Sequence, residues 1–476
     1  MTENISLVPP IKYKRILFSD SGKKCFLFLH FFISLFLYFF APYRYSICFI
    51  GFLFAFYIVD VLIYFALNKT RNYFTFDFIF SVAFAFVYFA YPLFVFSINK
   101  SLFFMFNYGF NENVINKSTA LALVGYSAFV LGLSGKRCVS RNANIIHFKP
   151  ISMIVPNIIV AIFVFLHLVK TVTMPSIYSA DGNADPTASG GIWGYISILQ
   201  NASIVAALSI EFYNQFHKVS VKKWYKNNPV IFILVFVDIL LTFSTGSRSW
   251  ALQYILIVLA GISVLYNGFT LKKILLLMFF GMAAMSFIVV VRSRGTFQFS
   301  FNVLNMAMDL IINNYTLYLG YDFVQNNGCV LFTLVGSLLS AIPMFSGLVT
   351  NIFGISIYET SSARYFSLLA LGKDTSFGVG TNIIGALYLA GGLIAVIVFM
   401  FLLGFLISWL SVNVKEASVY KLVLYFTMVG FSVYLARADY FYPVGKIVFE
   451  LFFTVLFVSS FIWKKRDIRC EISPSI

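Results

Sequence analysis

Runs of about twenty apolar residues, separated by short polar segments, recur along the whole chain. An α-helix needs about this length to cross the hydrocarbon core of a bilayer. The pattern predicts twelve spans, at residues 25–41, 46–67, 75–98, 119–134, 151–169, 191–216, 230–244, 250–266, 274–291, 382–410, 420–436 and 444–463. The chain is therefore predicted to be an all-α polytopic membrane protein with about twelve transmembrane helices.

Basic residues in the loops give the expected orientation. They follow the fourth, sixth, eighth and last spans, as Lys136/Arg137, Lys222/Lys223, Lys272/Lys273 and Lys464–Arg466. Because membrane proteins keep positive charge on the cytoplasmic side, both chain ends are expected in the cytoplasm. No small-residue cleavage site follows the first span, so that span is expected to be retained.

One external segment, residues 292–381, is much longer than the other loops. Its apolar stretch Cys329–Phe345 is interrupted by Gly336, and counting it as a crossing would move the basic C-terminal tail outside. We therefore predict that this stretch is re-entrant or lies flat at the interface. The chain then divides into a nine-span bundle (1–291), the external loop (292–381), and a three-span region with the cytoplasmic tail (382–476).

The same loop contains a periodic polar stripe. Within Phe301–Gly320, Asn302, Asn305, Asp309 and Asn313 recur at helical spacing. The spacing predicts a helix with one polar face. That face either packs on the bundle, as in an ordinary amphipathic helix, or faces a substrate, in which case Asp309 is a candidate contact.

Composition agrees with this class. The 476 residues are 60% hydrophobic and 11% charged, which excludes an ordinary soluble domain. The formal net charge is +16, but most of it lies in the short loops that set orientation, so no nucleic-acid partner is expected. No acidic or cysteine cluster has metal-ligand spacing, and neither a metal nor an organic cofactor is expected.

Five arginines have unusual positions. Arg248, Arg292, Arg294, Arg364 and Arg437 all fall on the predicted external side, at or just beyond span ends. Guanidinium groups stay charged and bind phosphate oxygens in pairs. Their placement therefore predicts an anionic ligand on this face, with phosphate as the natural candidate.

Two of the arginine motifs are short turns at span ends. Ser247 and Arg248 lie in the tight turn 243–250, where backbone amides at a helix start could bind an anion, or where the arginine could simply reach lipid headgroups. Arg292 and Arg294 directly follow the ninth span, and they either converge on one ligand from a loop or anchor the interface.

Two further motifs combine charge with aromatic residues. The first, at 361–374, offers Arg364, Tyr365, Lys373 and Asp374, and reads either as a substrate loop or as a plain connector. The second, at 434–443, offers Arg437, Asp439 and Tyr440. Arg437 and Asp439 either pair with each other, or supply a phosphate contact and a carboxylate base beside a ring that stacks on sugar.

Ionisable residues inside predicted spans are the remaining candidates. Asp60 and Asp238 fall within spans, where such residues are often functional. Neither has an obvious basic partner in the sequence, so structural hydrogen bonding is the preferred interpretation for both.

The succession of motifs in residues 230–463 resembles the Wzy-type O-antigen polymerases. The similarity lies in the order of Thr245–Ser249, Arg292–Gly295, Ile342–Pro343, Phe377–Gly380 and Leu435–Asp439. It implies a GT-C-like architecture in the bacterial inner membrane with a periplasmic active face. The implied substrates are undecaprenyl diphosphate-linked oligosaccharides, and a chain-length regulator protein is an implied partner.

The resemblance also implies roles for the residues. Arg248, Arg292, Arg294 and Arg437 would stabilise the leaving diphosphate, and Asp439 is the first choice for the catalytic base, before Asp374, Glu359 and Asp322. The alternatives are an O-antigen ligase, although the long loop lacks the histidine expected there, and a lipid-linked oligosaccharide flippase, although the two halves of the chain differ.

Overall fold

A computed structural model describes residues 20–67, 72–135, 150–173, 192–216, 228–244, 249–266, 268–292, 303–339, 350–373 and 378–470. These residues fold into α-helices with short 3₁₀ and π turns, and no β-strand is present among them. The predicted all-α class is confirmed.

Nine helices cover the first part of the chain, one for each of the first nine predicted spans. They are α1 (Asp20–Phe39), α2 (Ile47–Leu67), α3 (Phe76–Tyr88), α4 (Ile115–Leu133), α5 (Ile154–Thr173), α6 (Ile192–Phe216), α7 (Pro229–Ser244), α8 (Ser249–Leu265) and α9 (Leu271–Arg292). A π turn, Tyr91–Val95, follows α3 closely, as expected where a proline removes one backbone donor.

Shorter helices precede the last three predicted spans. They are α10 (Val303–Met306), α11 (Met308–Ile311), α12 (Asn314–Asn327), α13 (Phe332–Leu339) and α14 (Ser362–Leu371). The last three spans correspond to α15 (Ile383–Ser411), α16 (Val419–Gly430) and α17 (Tyr442–Cys470). Gly391 and Gly392 interrupt α15, since both depart from helical dihedral angles and Gly392 has a φ of 64°.

Six of these helices are long and apolar enough to cross a membrane. Their apolar stretches are Ile47–Ala66, Glu112–Leu133, Ile154–Thr173, Ile192–Phe216, Ile383–Ser411 and Tyr442–Ser459. Five other apolar helices are shorter, among them Phe76–Tyr88 and Ser249–Leu265. The chain thus has the character of a membrane protein, while the count of twelve crossings and the three-part division remain predictions.

The helices pack in two groups. In the first, α4 packs against α1, α2 and α15, and α15 also packs against α12. In the second, α6 packs against α5, α8, α16 and α17. Glycines allow the closest contact in the first group: a Cβ on Gly132 would lie 2.1 Å from the Phe401 carbonyl oxygen, and one on Gly404 would lie 2.0 Å from that of Phe129. Small residues are typical where membrane helices approach this closely.

The single helix predicted over Phe301–Gly320 is wrong. The described part of this segment forms two one-turn helices, α10 and α11, and then α12. The break has a local cause, because the Asn313 amide hydrogen bonds to the Leu310 carbonyl instead of continuing the helix from Asp309. The Asp309 carbonyl oxygen accepts the Asn313 side chain instead, at 2.7 Å.

Asp60 and Asp238 have buried polar partners, as the preferred interpretation expected, but each also has a histidine partner that the sequence did not reveal. His30 Nδ1 lies 2.6 Å from Asp60 Oδ1, and the Ser127 hydroxyl donates to Asp60 Oδ2 at 2.7 Å. His167 Nδ1 lies 2.7 Å from Asp238 Oδ1. Both aspartates are almost fully buried. Each pair joins two different helices, so sequence spacing alone could not reveal it.

Candidate functional site

The turn between α16 and α17 carries three of the predicted site residues. It contains the 3₁₀ turn Leu435–Arg437, and α3 packs directly against it. The hydroxyl of the fully buried Tyr88, the last residue of α3, lies 3.1 Å from the Ala436 carbonyl oxygen. The backbone just before Arg437 is therefore held by a buried hydrogen bond.

Asn382 connects this turn to α12 and to the start of α15. Its Oδ1 lies 3.0 Å from the Tyr88 hydroxyl and caps α15 by accepting the Gly385 amide at 2.7 Å. Its Nδ2 donates at 2.8 Å to both the Asn313 carbonyl and the Thr316 hydroxyl. Asn382 is fully buried and uses both ends of its amide, so it fixes three segments relative to one another.

Arg437 is held by backbone rather than by a buried carboxylate. Its Nη1 donates to the Asp309 carbonyl oxygen at 2.9 Å, while the Asp309 carboxylate lies 3.9 Å away. The guanidinium also stacks 5.2 Å from the centre of the Tyr434 ring. The side chain is 27% exposed, and its Nε has no hydrogen-bond partner in the described part of the chain. A guanidinium held in this way retains donors for an anion.

The structure does not pair Arg437 with Asp439. No ion pair within 4.0 Å joins these two described side chains, and the nearest acid to Arg437 is Asp309. Asp439 instead accepts a hydrogen bond from the Ser362 hydroxyl at the start of α14. Ser362 in turn lies 2.8 Å from the Thr381 hydroxyl, which gives a chain of donors from Thr381 through Ser362 to the carboxylate.

Burial perturbs the Asp439 carboxyl. Desolvation raises its pKa from an ordinary 3.8 to about 6, against hydrogen bonds from Ser362, Ser337 and Ser361 that favour the charged form. A carboxyl group with a pKa near 6 exchanges protons readily at neutral pH. Such a group is suited to act as a general base.

Asp439 lies in a small depression whose wall is rich in hydroxyl groups. Its lining consists of Thr333, Leu334, Ser337, Ser362, Ala386, Asp439 and Tyr440. Gly336 allows α13 to form this wall, because a Cβ there would lie 2.4 Å from the Thr360 carbonyl oxygen. Tyr440 packs edge-on against Phe399, with ring centres 5.1 Å apart, and burial raises its pKa to about 12. A carboxylate, several hydroxyls and an aromatic ring are groups that contact a sugar.

The 361–374 motif contributes less than predicted. Arg364 is exposed, and its Nη1 lies 3.4 Å from the Thr360 hydroxyl one turn earlier. It comes two residues after Ser362 on α14, and residues two apart point to different sides of a helix. Tyr365 packs against Phe323, with ring centres 5.4 Å apart, and Lys373 is exposed beyond the end of α14.

Several predicted residues lie outside the described part of the chain. They are Ser247, Arg248, Arg294 and Asp374. Arg292 is the last residue of α9. Their proposed roles remain predictions.

Two lower-ranked base candidates are placed by the structure. Asp322 accepts a hydrogen bond from the Asn111 side chain at 2.7 Å and lies on α12. Glu359 lies in the 3₁₀ turn Ile357–Thr360. Neither belongs to the depression around Asp439, so Asp439 is the best placed of the described candidates.

Some residues of the site were not selected from the sequence. Thr333 and Ser337 lie four residues apart in the stretch that we predicted only to be interfacial, and this spacing puts both hydroxyls on one helix face. Ser362 stands beside Arg364, whose charge drew attention instead. Tyr88 and Asn382 carry no sequence signal, because their role depends on contacts across almost 300 residues.

Across the described ranges, no group of three or more histidine, cysteine, aspartate or glutamate side chains is arranged to hold a metal ion. Comparison with protein-family models, with curated proteins and with solved structures gives no match for this chain.

Proposed function

We propose that this protein is a polysaccharide polymerase of the O-antigen type. It transfers a growing glycan from undecaprenyl diphosphate to the non-reducing end of another lipid-linked repeat unit. The observation that carries the proposal is the pairing of opposite chemistries on one turn: Arg437 has a partly exposed guanidinium whose Nε lacks a partner in the described residues, and Asp439, two residues later, has a pKa of about 6.

The acceptor hydroxyl oxygen attacks the anomeric carbon of the donor sugar, and its proton passes to Asp439. The bond from that carbon to the diphosphate oxygen breaks, and the lipid diphosphate leaves with the bonding electrons. Arg437 stabilises the charge that develops on this leaving group, because a guanidinium engages phosphate oxygens in pairs.

The acceptor sugar would bind at the opening of the depression around Asp439, which is too small to enclose a sugar ring. Ser337 and Ser362 provide hydroxyls beside the carboxylate, and Tyr440 provides an aromatic surface. Fixing the acceptor beside its base lowers the entropic cost of bringing two large lipid-linked molecules together.

The proposed setting follows from the predicted topology. We place the protein in the bacterial inner membrane with twelve crossings, both termini in the cytoplasm, and the turn 431–441 at the periplasmic face. The substrates arrive in the lipid bilayer, and a chain-length regulator protein is the proposed protein partner.

A transporter of lipid-linked oligosaccharides is the second candidate. The observation in its favour is the presence of two buried histidine–aspartate pairs, since such groups line proton pathways in transporters. A ligase, which would use the same donor, is a third possibility that no feature of the described site favours over polymerisation.

A deletion strain, complemented with variants, tests the proposal. Surface glycan should be restricted to single repeats in the deletion strain and in strains carrying Asp439→Asn or Arg437→Ala, with normal amounts of protein in the membrane. Repeats trapped inside the cell would indicate a transporter, and glycan missing from its final lipid acceptor would indicate a ligase. Long-chain glycan from both variants would overturn the assignment of this site.

A further inference from the structure

A second cation lies near the turn, in the first part of α17. The Lys446 ammonium nitrogen is 5.2 Å from the centre of the Trp250 ring. Trp250 is the second residue of α8 and the last residue of the predicted turn 243–250, which contains Arg248. Lys446 is half-buried, and it was not among the candidates selected from the sequence.

Two tyrosine rings lie between Arg437 and the part of α17 that carries Lys446. The Arg437 guanidinium stacks on Tyr434, and the Tyr434 ring lies 4.8 Å from that of Tyr442. Tyr442 precedes Lys446 by four residues on α17, which puts both on the same helix face. Arg437, Tyr434, Tyr442, Lys446 and Trp250 therefore form one strip, with a cation near each end and two tyrosine rings between; we call it the cation–aromatic strip.

Lys446 has no ion-pair partner at close range among the described residues. No carboxylate lies within 4.0 Å of its ammonium group in the described residues, and no hydrogen-bond acceptor contacts it there. The nearest acid along α17 is Glu450, which is fully buried, accepts a hydrogen bond from the Thr427 hydroxyl, and interacts electrostatically with Lys446 from beyond 4.0 Å. An aromatic ring stabilises an ammonium group without cancelling its charge.

Lys421 provides a comparison within the same molecule. Its ammonium nitrogen also lies 5.2 Å from a tryptophan ring, that of Trp409. In contrast to Lys446, it donates a 2.8 Å hydrogen bond to the carbonyl oxygen of Val412, the residue that directly follows α15. Lys421 thus has a structural partner at a helix end, while Lys446 has the same ring contact and no such partner.

The proposed reaction requires two lipid diphosphates at one interface, those of the donor and of the acceptor. Arg437 accounts for one of them. We propose that Lys446, supported by Trp250, binds the diphosphate of the second lipid-linked substrate. This inference rests on the proposed function. A half-buried ammonium group whose nearest carboxyl group lies beyond ion-pair distance is only partly compensated, and an anionic ligand would stabilise it further.

Binding to the purified full-length protein in phosphatidylcholine nanodiscs tests this inference, with farnesyl diphosphate as the probe and native mass spectrometry as the readout. The wild-type protein should bind two equivalents. Lys446→Gln should weaken one of them by about tenfold or more, roughly the loss of one charge-assisted contact. Lys421→Gln should leave both unchanged. If the Lys446→Gln variant still binds two molecules of farnesyl diphosphate with wild-type affinity, the inference is overturned.

Three further measurements separate the competing explanations. Arg437→Ala should also lose one equivalent; if it keeps both while Lys446→Gln loses one, the role of Arg437 in the proposed function fails and the Lys446 site stands. If phosphatidylglycerol displaces the bound probe from the Lys446 site as well as unlabelled farnesyl diphosphate does, the site is a general contact for anionic lipids. That result would overturn the inference. Recovery of two equivalents in Lys446→Gln/Glu450→Gln would show that Lys446 only balances Glu450, with the same consequence.

Discussion

The Arg437 guanidinium donates a 2.9 Å hydrogen bond to the Asp309 carbonyl oxygen, 128 residues earlier in the chain. This carbonyl is available because the helix breaks there, and the Asn313 side chain shares it. The contact holds the arginine in one position without using a full carboxylate partner. Arg437 therefore combines a fixed orientation with a charge that only a long 3.9 Å ion pair to Asp309 offsets, and such a charge suits stabilisation of a leaving diphosphate.

Replacement of Arg437 tests this role directly. Arg437→Ala should reduce polymer formation by about a hundredfold or more, in line with the loss of one donor to a developing anion. Arg437→Lys should recover only part of the activity, because an ammonium group lacks the planar fork. Glycan length on gels, normalised to protein in the membrane, measures both. Arg364→Ala is the matched control, since Arg364 is exposed and lies on another side of α14, and it should retain long chains.

The pKa of Asp439 predicts a pH profile. The base must be deprotonated, so the rate should fall about tenfold per pH unit below roughly 6 and level off above it. Asp439→Asn should remove both the activity and this dependence. The profile is measured as initial rate in nanodiscs with lipid-linked repeats. A flat rate between pH 5 and 7 would exclude Asp439 as the base.

The same shift has a consequence for stability. The folded pKa lies above the ordinary value of 3.8, so between these two values the folded state holds a proton that the unfolded state releases. This group therefore favours folding at low pH, and its contribution decreases as the pH rises toward 6. Asp439→Asn should remove this component from the pH dependence of thermal unfolding.

Ser362 offers a way to move the profile. Its hydrogen bond favours the charged form of Asp439 and lowers the carboxyl pKa. Ser362→Ala should therefore raise that pKa and shift the midpoint of the rate profile to higher pH, while activity at high pH is largely kept. Ser367→Ala is a suitable control, because Ser367 lies on the same helix and its hydroxyl bonds to the Ala363 carbonyl and the Val379 amide instead of Asp439. Equal midpoints in both variants would contradict the role of Ser362.

Hydropathy predicted the helices well because a bilayer imposes one length and one composition on each crossing. The position of every predicted span is matched by a helix, from α1 to α17. The residues that fix the site could not be predicted in this way. The contact between Tyr88 and Asn382 joins residues 294 apart, and its existence depends on how α3 packs against the start of α15.

Charge was informative but incomplete as a signal. It identified Arg437 and Asp439, which the structure places on one turn, but it also selected Arg364, which faces away. It missed the uncharged hydroxyls of Thr333 and Ser337, because a small polar residue in an apolar stretch looks like an ordinary packing residue. It missed the helix break at Ile312 and Asn313 too, since the polar stripe persists in sequence while the backbone hydrogen bonding changes.

Tyr88 and Asn382 should act as positioning residues for the turn. Tyr88→Phe removes the hydroxyl contact to Ala436 and should lower kcat more than it raises KM, with a loss of about 1 kcal/mol in unfolding free energy. Asn382→Ala should be more destabilising, because it leaves buried partners such as the Gly385 amide unpaired. Val87→Ala, a buried substitution one residue from Tyr88, controls for stability loss alone. If Val87→Ala and Tyr88→Phe lose the same unfolding free energy and lower kcat equally, loss of positioning does not explain the effect of Tyr88→Phe.

The buried histidine–aspartate pairs decide between the two leading functions. Asp238 accepts hydrogen bonds from both His167 and Gln200 in the interior of the second helix group. If the pair only joins helices, removing one partner strands the other and should destabilise the protein by about 3–5 kcal/mol, while an apolar replacement of both should be tolerated. We expect Asp238→Leu to reduce the amount of folded protein, and His167→Leu/Asp238→Leu to restore both that amount and long-chain glycan. A double variant that is folded but accumulates repeats inside the cell would mean that the pair carries protons for transport, and the polymerase proposal would give way to the transporter.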